Sequence, residues 1–425
     1  MKVRVLGAIA PALLLLTLCS CGGGAGSTSV NQQLPPSSIP RSPIRHLIVV
    51  VMQNNSFDHL FGTYPGADGL DPTLASYTQV DSSGNPVHPQ LLTDLSPADL
   101  NHTRASYLAA YDSGKMDEYA STNGAVSMDY YDNSSIGTAS DGRKFGVDTL
   151  WNYAQQYALA DNFFAAAMAS EPANMLYFVA AYAGSGTDPY GYPQLDACTA
   201  GLYQQNKGNG ATITPPLTFQ NVGDQLSANK ISWTFFQEWF SNEQNGTCTH
   251  YVPQENPFQY FQSTANSANI QNFTLTGFTS MLSAGTLPSV VWVQPSPGHS
   301  MHPGQGNIAN SIEWLDDFVQ TVKGSQIWSN TAIIVLWDES GGWYDHVAPP
   351  QLSGTIGLGA RVPVILISTF AKKNYISHQR MDLASVLRFI QWNWGLGPFT
   401  DPTQAAREQQ SADICDLLTT TCSSP

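Results

Sequence analysis

Unbroken apolar runs recur along the chain, and they predict strands that are buried on both faces. Residues 46–52 and 332–336 are the clearest cases, because large aliphatic and β-branched residues follow one another there. Runs of the same kind occupy residues 231–236, 289–293 and 362–368. A strand with one face in water would alternate apolar and polar residues. The runs therefore indicate a sheet that other structure covers on both sides.

Helical spacing of apolar residues is found between these runs. Residues 308–322 show it most clearly, and residues 147–159 and 382–394 have the same pattern. Strands that alternate with helices favour an α/β fold of three layers, in which helices cover both faces of a mainly parallel central sheet. Residues 184–275 are richer in Gly, Asn, Gln, Tyr and Pro, and we interpret them as an insertion or cap over this sheet.

Polar side chains directly follow the two clearest runs. Gln53 and Asn54 come after the first, and Asp338 and Glu339 come after the second. Open α/β sheets place their binding and catalytic residues at the carboxyl ends of the strands, so a metal ion or a catalytic acid is expected there. Turn formation is the alternative for each cluster taken singly, because Asn, Asp, Ser and Gly are also what loops after strands require.

Length and charge narrow the class of protein. A chain of 425 residues that is 42% hydrophobic can bury a large core, as one large α/β domain or two smaller ones. Lys and Arg total 17 against 32 Asp and Glu, and removal of residues 1–21 leaves 15 against 32. This acidic balance disfavours nucleic acid as a partner.

The first 21 residues are typical of an export signal. Lys2 and Arg4 precede an apolar stretch, residues 5–18, that is shorter than the roughly 20 residues needed to cross a bilayer. Leu18, Ser20 and Cys21 stand where a bacterial lipoprotein signal has its Leu, its small residue and its lipidated Cys. We expect cleavage before Cys21 and an exported, membrane-anchored lipoprotein at the periplasm or cell surface; ordinary secretion is the alternative.

Residues 22–44, rich in Gly, Ser and Pro, are then expected to form a flexible tether ahead of the domain at residues 45–425. Four further cysteines, an even number in an exported chain, favour disulfides: Cys198, Cys248, Cys415 and Cys422. Three pairings are open, one of which joins Cys415 to Cys422 and Cys198 to Cys248. The spacing does not fit a zinc site.

Five polar segments follow one another between about residues 46 and 397. In chain order they centre on Gln53-Asn54-Asn55-Ser56-Phe57-Asp58, Asp99-Leu100-Asn101-His102, Ala169-Ser170-Glu171-Pro172, His299-Ser300-Met301-His302-Pro303 and Asp338-Glu339-Ser340-Gly341-Gly342. Their residue types and order resemble those of the bacterial phosphoesterases that include phosphatidylcholine-type phospholipases C and a group of acid phosphatases. The resemblance implies an alkaline-phosphatase-like fold.

The resemblance also implies a divalent metal ion, with Asn54, Asp338 and Glu339 as its ligands and Gln53 as a further one. Gln53 stands where the family has Glu, and a neutral amide oxygen is a weaker ligand for a hard cation than a carboxylate. Ser340 stands where the family has His.

Ser170 occupies the place of the family's Ser or Thr nucleophile, with Pro172 two residues later. The alternative is a helix N-cap without chemistry. The two roles are compatible, because free backbone N–H groups at a helix start also cradle a phosphate. Glu171 beside the nucleophile departs from the family pattern, and an Asn comes one place late, as Asn174.

Histidines and one arginine complete the implied site. His102 and His302 correspond to family residues near the phosphate, where they would stabilise its oxygens or serve the leaving group. Arg361 is expected to be a structural ion-pair partner rather than a phosphate clamp. His346 and His378 are further possible site residues.

Together these residues predict a phosphoric-ester hydrolase that acts through a serine nucleophile and a bound metal ion. Its substrate would be a phospholipid or a phosphomonoester. The alternative is a catalytically degenerate surface lipoprotein that keeps the fold for binding, a reading that the replacements at Gln53 and Ser340 favour. Metal content and activity discriminate between the two.

Overall fold

An eight-stranded sheet forms the centre of the molecule, as seen in a computed structural model. The structure describes residues 39–184, 217–241, 250–265, 267–352 and 357–422. These residues belong to the larger of two units into which the chain divides, Pro36–Pro425.

The strands, in chain order, are β1 His46–Met52, β2 Gln79–Val80, β3 Pro86–Val87, β4 Ile136–Thr138, β5 Lys144–Gly146, β6 Ala158–Ala160, β7 Phe163–Phe164, β8 Trp233–Glu238, β9 Ile270–Phe273, β10 Val290–Gln294, β11 Thr331–Trp337, β12 Val364–Ser368, β13 Tyr375–Ser377 and β14 Met381–Asp382. The α-helices are α1 Phe57–Phe61, α2 Arg104–Tyr111, α3 Tyr119–Asn123, α4 Val147–Gln156, α5 Glu171–Ala180, α6 Val222–Ala228, α7 Leu275–Ala284, α8 Ile308–Lys323, α9 Leu383–Asn393 and α10 Pro402–Gln409. Short 3₁₀ turns lie between several of them.

Strand order in the central sheet is β13-β6-β12-β11-β1-β10-β8-β9. Strand β12 runs antiparallel to both of its neighbours, and all the other pairs are parallel. Met52 pairs with Trp337, and Val50 pairs with Val293. The carboxyl ends of β1, β10 and β11 therefore meet at one edge of the sheet, as the sequence predicts for a mainly parallel arrangement.

Both faces of this sheet are covered. Every residue of β10, β11 and β12 is buried, and successive side chains of a strand point to opposite faces. The helices form two groups, since α4 and α7 contact α8, whereas α5 contacts α6 and α9, which in turn contacts α10. The predicted three-layer α/β class is confirmed.

One predicted helix extends too far. The helical pattern over residues 147–159 ends as a helix at Gln156, and Ala158–Ala160 form a short strand instead. Tyr157 leaves the helical conformation, with φ −131° and ψ −141°. A short apolar segment fits a buried helix and a buried strand equally well. Ala158–Ala160 form a strand because they pair with β12 and β13.

Part of the predicted insertion belongs to the sheet. Within residues 184–275, β8 pairs with β10, and β9 pairs with β8 as the outermost strand of the sheet. The segment is therefore not only a cap: the run at residues 231–236 corresponds to β8 of the central sheet, and only β9, with its polar residues Gln271 and Asn272, was not predicted. Cys198 and Cys248 lie outside the described residues, as does Cys21.

Cys415 and Cys422 form a disulfide, with their Cα atoms 5.8 Å apart. This is one of the pairings that the cysteine count left open. Across the residues that the structure describes, each helix is too short or too polar to span a bilayer.

Candidate active site

The polar residues that follow β1 and β11 meet at the sheet edge, where backbone hydrogen bonds hold three loops together. The Asn55 N–H donates to the Glu339 carbonyl at 3.1 Å, and the Gln53 N–H donates to the Ser300 carbonyl at 2.8 Å. The first bond joins the loops after β1 and β11. The second adds the loop after β10, which carries His302.

Asn54 and Gly341 are two of the residues in these loops with a left-handed backbone, and they lie against one another. Asn54 has φ 61°, a conformation that Asn tolerates better than most residues. Gly341 has φ 66°, and a Cβ there would overlap the carbonyl oxygen of Asn54. The glycine following Glu339 and Ser340 thus lets the β11 loop pass against the backbone of Asn54.

Asn54 is oriented by His302. One imidazole nitrogen of His302, Nδ1, lies 2.8 Å from the Pro303 carbonyl, and the other, Nε2, lies 3.0 Å from Asn54 Nδ2. A carbonyl only accepts, so Nδ1 carries the proton and Nε2 accepts from the amide of Asn54. The Asn54 Oδ1 atom is left buried and without a hydrogen-bond partner. With both ring nitrogens engaged in this way, His302 positions the side chain of Asn54.

Asp338 and Gln53 also present unpaired buried atoms. Asp338 is fully buried; its Oδ1 accepts from the N–H groups of Asn54 and Glu339, whereas its Oδ2 has no partner. Both polar side-chain atoms of Gln53 are buried without a partner. Unpaired buried groups cost about 1–3 kcal/mol each. Burial, with the charges of Glu339 and Glu171, raises the pKa of Asp338 well above its usual range.

Glu339 is held by a helix that the sequence did not implicate. Tyr107, on α2, donates its hydroxyl proton to Glu339 Oε2, and the Gly341 N–H donates to the same oxygen at 2.6 Å. The other oxygen, Oε1, lies 2.7 Å from His102 Nδ1, close enough for an ion pair with a protonated imidazole. Burial opposes protonation of His102, but Glu339 and Asp99 outweigh it and raise the pKa of His102 to about 12.

These atoms fit a cation. Asn54 Oδ1 and Asp338 Oδ2 are buried oxygens without a hydrogen-bond partner, and Glu339 Oε1 faces His102. Oxygen ligands are what Mg²⁺, Ca²⁺ and Mn²⁺ prefer. Asp338 and Glu339 are close enough for their charges to repel one another unless positive charge offsets them. The resemblance assigned Asn54, Asp338 and Glu339 to a metal, and the structure brings these residues together at the ends of β1 and β11.

Ser170 lies at the start of α5 with its hydroxyl uncommitted. It occupies the N-cap position but makes no side-chain capping hydrogen bond. The turn before it is fixed by the buried Asn174, whose Nδ2 donates to the Ala169 carbonyl at 2.7 Å and whose Oδ1 accepts from the Ala167 N–H at 2.8 Å. The next residue, Glu171, has a ligand atom within 4.8 Å of those of His102 and Glu339. Asn54, Asp338 and Glu339, with His102 beside them, are called the cation cluster below. The free hydroxyl of Ser170 is therefore next in the chain to a carboxylate that borders this cluster.

A cavity of about 630 Å³ opens beside this cluster. Glu171 and His302 line it together with Trp239, Tyr251 and Glu255. Glu255 is buried, and its pKa is raised well above the usual range by that burial and by the charges of Glu171 and Asp338. Sequence reasoning missed Glu255, because it follows none of the strand-end motifs and lies in the segment of weakest resemblance.

Arg361 belongs to a second, separate cluster. Its Nε donates to Asp345 Oδ1 at 2.8 Å, and one terminal nitrogen donates to Asp58 Oδ1 at 3.1 Å. His346 Nδ1 lies 2.7 Å from the other oxygen of Asp58. Arg361 is fully buried, so its place is that of a structural ion-pair partner for the loops that follow β1 and β11.

His378 lies at the periphery of this second cluster. Its ring is 66% exposed and contacts Asp161, with Nδ1 2.8 Å from Oδ2. The backbone carbonyl of Asp161 accepts from Arg361 at 2.7 Å. Neither His346 nor His378 is among the residues that the structure brings to the cation cluster.

The His346–Asp58 contact predicts a pH dependence of stability. Burial opposes protonation, but the hydrogen bond and charge of Asp58 raise the pKa of His346 to about 9, from 6.5. A raised folded-state pKa stabilises the protein fully below the unfolded value, and that stability is lost as pH rises from 6.5 through about 9. Urea unfolding across this range should show that H346Q loses less stability than the wild type, by on the order of 1 kcal/mol.

The raised pKa of His102 also makes the protein less stable as pH rises. The contribution of His346 is therefore the difference between the pH-dependent stability losses of wild type and H346Q. H378Q is the matched control, since it removes a histidine from a similar aspartate contact that water screens. Parallel pH profiles for wild type and H346Q would contradict the assignment.

Comparison with known proteins identifies the family. The profile of the Phosphoesterase family matches residues 44–397. Non-hemolytic phospholipase C from Pseudomonas aeruginosa is 24% identical over 433 residues, covering 88% of this chain and 59% of the relative. Phospholipase C B from Mycobacterium tuberculosis is 25% identical over 429 residues, covering 89% of this chain and 77% of the relative. The chain therefore spans less than two thirds of the Pseudomonas relative.

A solved protein of the alkaline phosphatase superfamily from Vibrio parahaemolyticus is similar over 83% of this chain and 77% of its own, with a TM-score of 0.39 and 10% identity. The family match runs from just before β1 past the end of α9. It includes both strand-end clusters, Ser170 and the His302 loop. The chain belongs to the Phosphoesterase family.

Proposed function

We propose that this protein is a metal-dependent phosphoester hydrolase of the phospholipase C type, with Ser170 as its nucleophile. One observation carries the proposal: Asn54, Asp338 and Glu339 are held together by hydrogen bonds at the ends of β1 and β11, and Asn54 and Asp338 each keep a buried oxygen without a hydrogen-bond partner. The carboxylate of Glu339 lies within 4.8 Å of that of Glu171, at the start of α5. Buried polar atoms are usually paired, so unpaired oxygens on adjacent residues indicate a place for a ligand.

The ligands of the cation are Asn54, Asp338 and Glu339. A divalent ion bound to them supplies positive charge that offsets the phosphoryl oxygens and favours the deprotonated form of a nearby hydroxyl. Two neighbouring side chains position these ligands. His302 keeps the Asn54 oxygen directed at the cluster, and Tyr107 keeps Glu339 in place.

Ser170 attacks phosphorus from the helix start. A bond forms between its Oγ and phosphorus while the bond from phosphorus to the leaving alcohol breaks, and the alcohol oxygen takes up a proton. Water then attacks the phosphoserine, the bond to Oγ breaks, and a proton returns to Ser170. The free N–H groups at the start of α5 lie where they stabilise charge on the phosphoryl oxygens.

His102 is the cationic side chain of this site. Glu339 and Asp99 raise the pKa of His102, which favours the protonated imidazole. An imidazolium beside the cluster would stabilise the oxygens of the transferring group, and it would be placed to give its proton to the leaving alcohol.

A phospholipid is the substrate that we favour. The two relatives described above are named phospholipases C, and the cavity beside the cluster, at about 630 Å³, has the size of a small-molecule pocket. Trp239, at the cavity wall, is 45% exposed, and such an amphipathic ring suits contact with a lipid interface.

Purified protein should be assayed against phosphatidylcholine vesicles and an aryl phosphate, with chelator and after return of a divalent metal. We expect the chelator to lower phosphatidylcholine hydrolysis on the order of 100-fold or more, and metal to restore it. D338N should behave like the chelated wild type, but metal should not rescue it.

Full turnover with chelator and in D338N would contradict the metal requirement. Faster hydrolysis of the aryl phosphate than of phosphatidylcholine would assign a phosphomonoester substrate instead. A protein that binds metal and hydrolyses neither compound would support the binding-only alternative.

A further inference from the structure

Glu171 reaches the cation cluster from the start of α5, and not from a strand end. It is the first residue of α5, and it is only 9% exposed. Its ligand atom and those of His102 and Glu339 all lie within 4.8 Å of one another. Among the residues that the structure describes, none donates a hydrogen bond to its carboxylate or forms a salt bridge with it.

A helix-dipole role would not require this placement. An acidic residue in the first turn of a helix is favoured by the helix dipole at the surface, facing water. Glu171 instead lines the cavity wall, close enough to Asp338 and Glu255 for its charge to act on both of them. Four carboxylates, those of Glu171, Asp338, Glu339 and Glu255, therefore lie near one imidazole, that of His102, and a bound cation would offset the remaining repulsion between them.

The loop after β1 lacks one negative charge. Gln53, between β1 and Asn54, is fully buried, and neither polar atom of its side chain has a partner. Asp338 Oδ2 is likewise buried and unpaired. Neutral Gln53 contributes at most an amide oxygen, which attracts a hard cation less strongly than a carboxylate does. A cluster that relies on Gln53 would hold its cation with two carboxylates only.

We propose that Glu171 is a ligand of this cation, and that it supplies the third carboxylate that Gln53 does not provide. The inference rests on the proposed metal site and adds a ligand to it. It also explains why a carboxylate directly follows the nucleophile: a ligand at this position ties the start of α5, and with it Ser170, to the loops at the strand ends.

The test measures cation affinity rather than turnover. Mn²⁺ is titrated into the full chain, and free Mn²⁺ is followed by its paramagnetic resonance signal. We expect E171Q to weaken Mn²⁺ binding on the order of 10- to 100-fold. The Q53E substitution should strengthen binding, and it should restore most of the affinity when combined with E171Q, because the third carboxylate returns at residue 53.

E238Q is the matched control. Glu238 also lies near the cavity wall and carries one negative charge, but its oxygens are already engaged by the Ser296 N–H at 2.8 Å, by His299 Nδ1 at 2.8 Å and by the Trp314 indole N–H at 3.2 Å. Its loss should change Mn²⁺ affinity less than about 3-fold, as expected for a long-range charge effect.

Three outcomes would overturn the inference. They are unchanged affinity in E171Q, an equal loss in E171Q and E238Q, and no gain from Q53E in the E171Q background. D338N separates the inference from the proposed function. If D338N loses Mn²⁺ binding while E171Q keeps it, the metal site stands and Glu171 is not a ligand. If the wild type binds no Mn²⁺ and no other divalent metal supports turnover, the proposed metal requirement fails together with the inference.

Discussion

Replacing Ser170 with Ala is expected to abolish phosphoester hydrolysis, lowering kcat on the order of a thousandfold or more. The Ser170 hydroxyl is the nucleophile in the proposed mechanism, and it carries no capping hydrogen bond that would otherwise explain its presence. Acid quenching during turnover, followed by mass spectrometry of the α5 peptide, should detect a phosphoryl group on the wild type and none on S170A.

T274A is the matched control for this substitution. Thr274 is the N-cap of α7, and its hydroxyl accepts from the Gly277 N–H at 3.1 Å. Loss of a true cap costs about 1 kcal/mol, so T274A should be less stable with full turnover. S170A should show the reverse: inactive, with unfolding free energy close to that of the wild type. An active S170A that is destabilised would assign Ser170 to capping alone.

Replacing Arg361 with Met is expected to lower the free energy of unfolding by about 3–5 kcal/mol. The guanidinium is fully buried and donates to Asp345, to Asp58 and to the backbone carbonyl of Asp161. Removing it leaves two buried carboxylates without their shared cation. Urea-induced unfolding, followed by tryptophan fluorescence, measures the change.

R143M is the control that tests whether the loss in R361M depends on burial of the arginine. Arg143 also contacts several carboxylates, among them Asp317 at 2.7 Å and Glu313 at 3.0 Å, but its side chain is 45% exposed. Water and salt screen such surface pairs, so R143M should unfold close to wild type. Similar losses in R361M and R143M would show that Arg361 does not act through buried charge.

The apolar runs located five of the eight strands of the central sheet, which are β1, β8, β10, β11 and β12. Residues 332–336 lie within Thr331–Trp337, and the predicted helix at residues 308–322 is Ile308–Lys323. A long run of buried aliphatic residues has few other solutions. The short strand Ala158–Ala160 was assigned to a helix, because three apolar residues carry no periodicity and only pairing with β12 and β13 makes them a strand.

Of the candidate site, the sequence predicted the residues that directly follow strands. Asp338 and Asn54 follow adjacent parallel strands, and the carboxyl ends of such strands meet whatever the loops do. Tyr107 and Glu255 gave no signal, because they reach the site from a helix and from a loop that are far from the strand ends in sequence. His302 was recognised, but its role was not, since that depends on the two partners of its ring.

The sequence by itself determined the long buried strands, the polar residues that follow them, and the family, because each of these depends on local residue pattern. The tertiary structure decided the order of the strands and which atoms remain free for chemistry. Asn54 Oδ1 and Asp338 Oδ2 are free only because other groups occupy the remaining hydrogen-bonding positions of the same side chains. Glu171 joins them through the placement of α5. Which atoms are paired and which are free depends on packing between segments that are distant in the chain, so no local residue pattern predicts it.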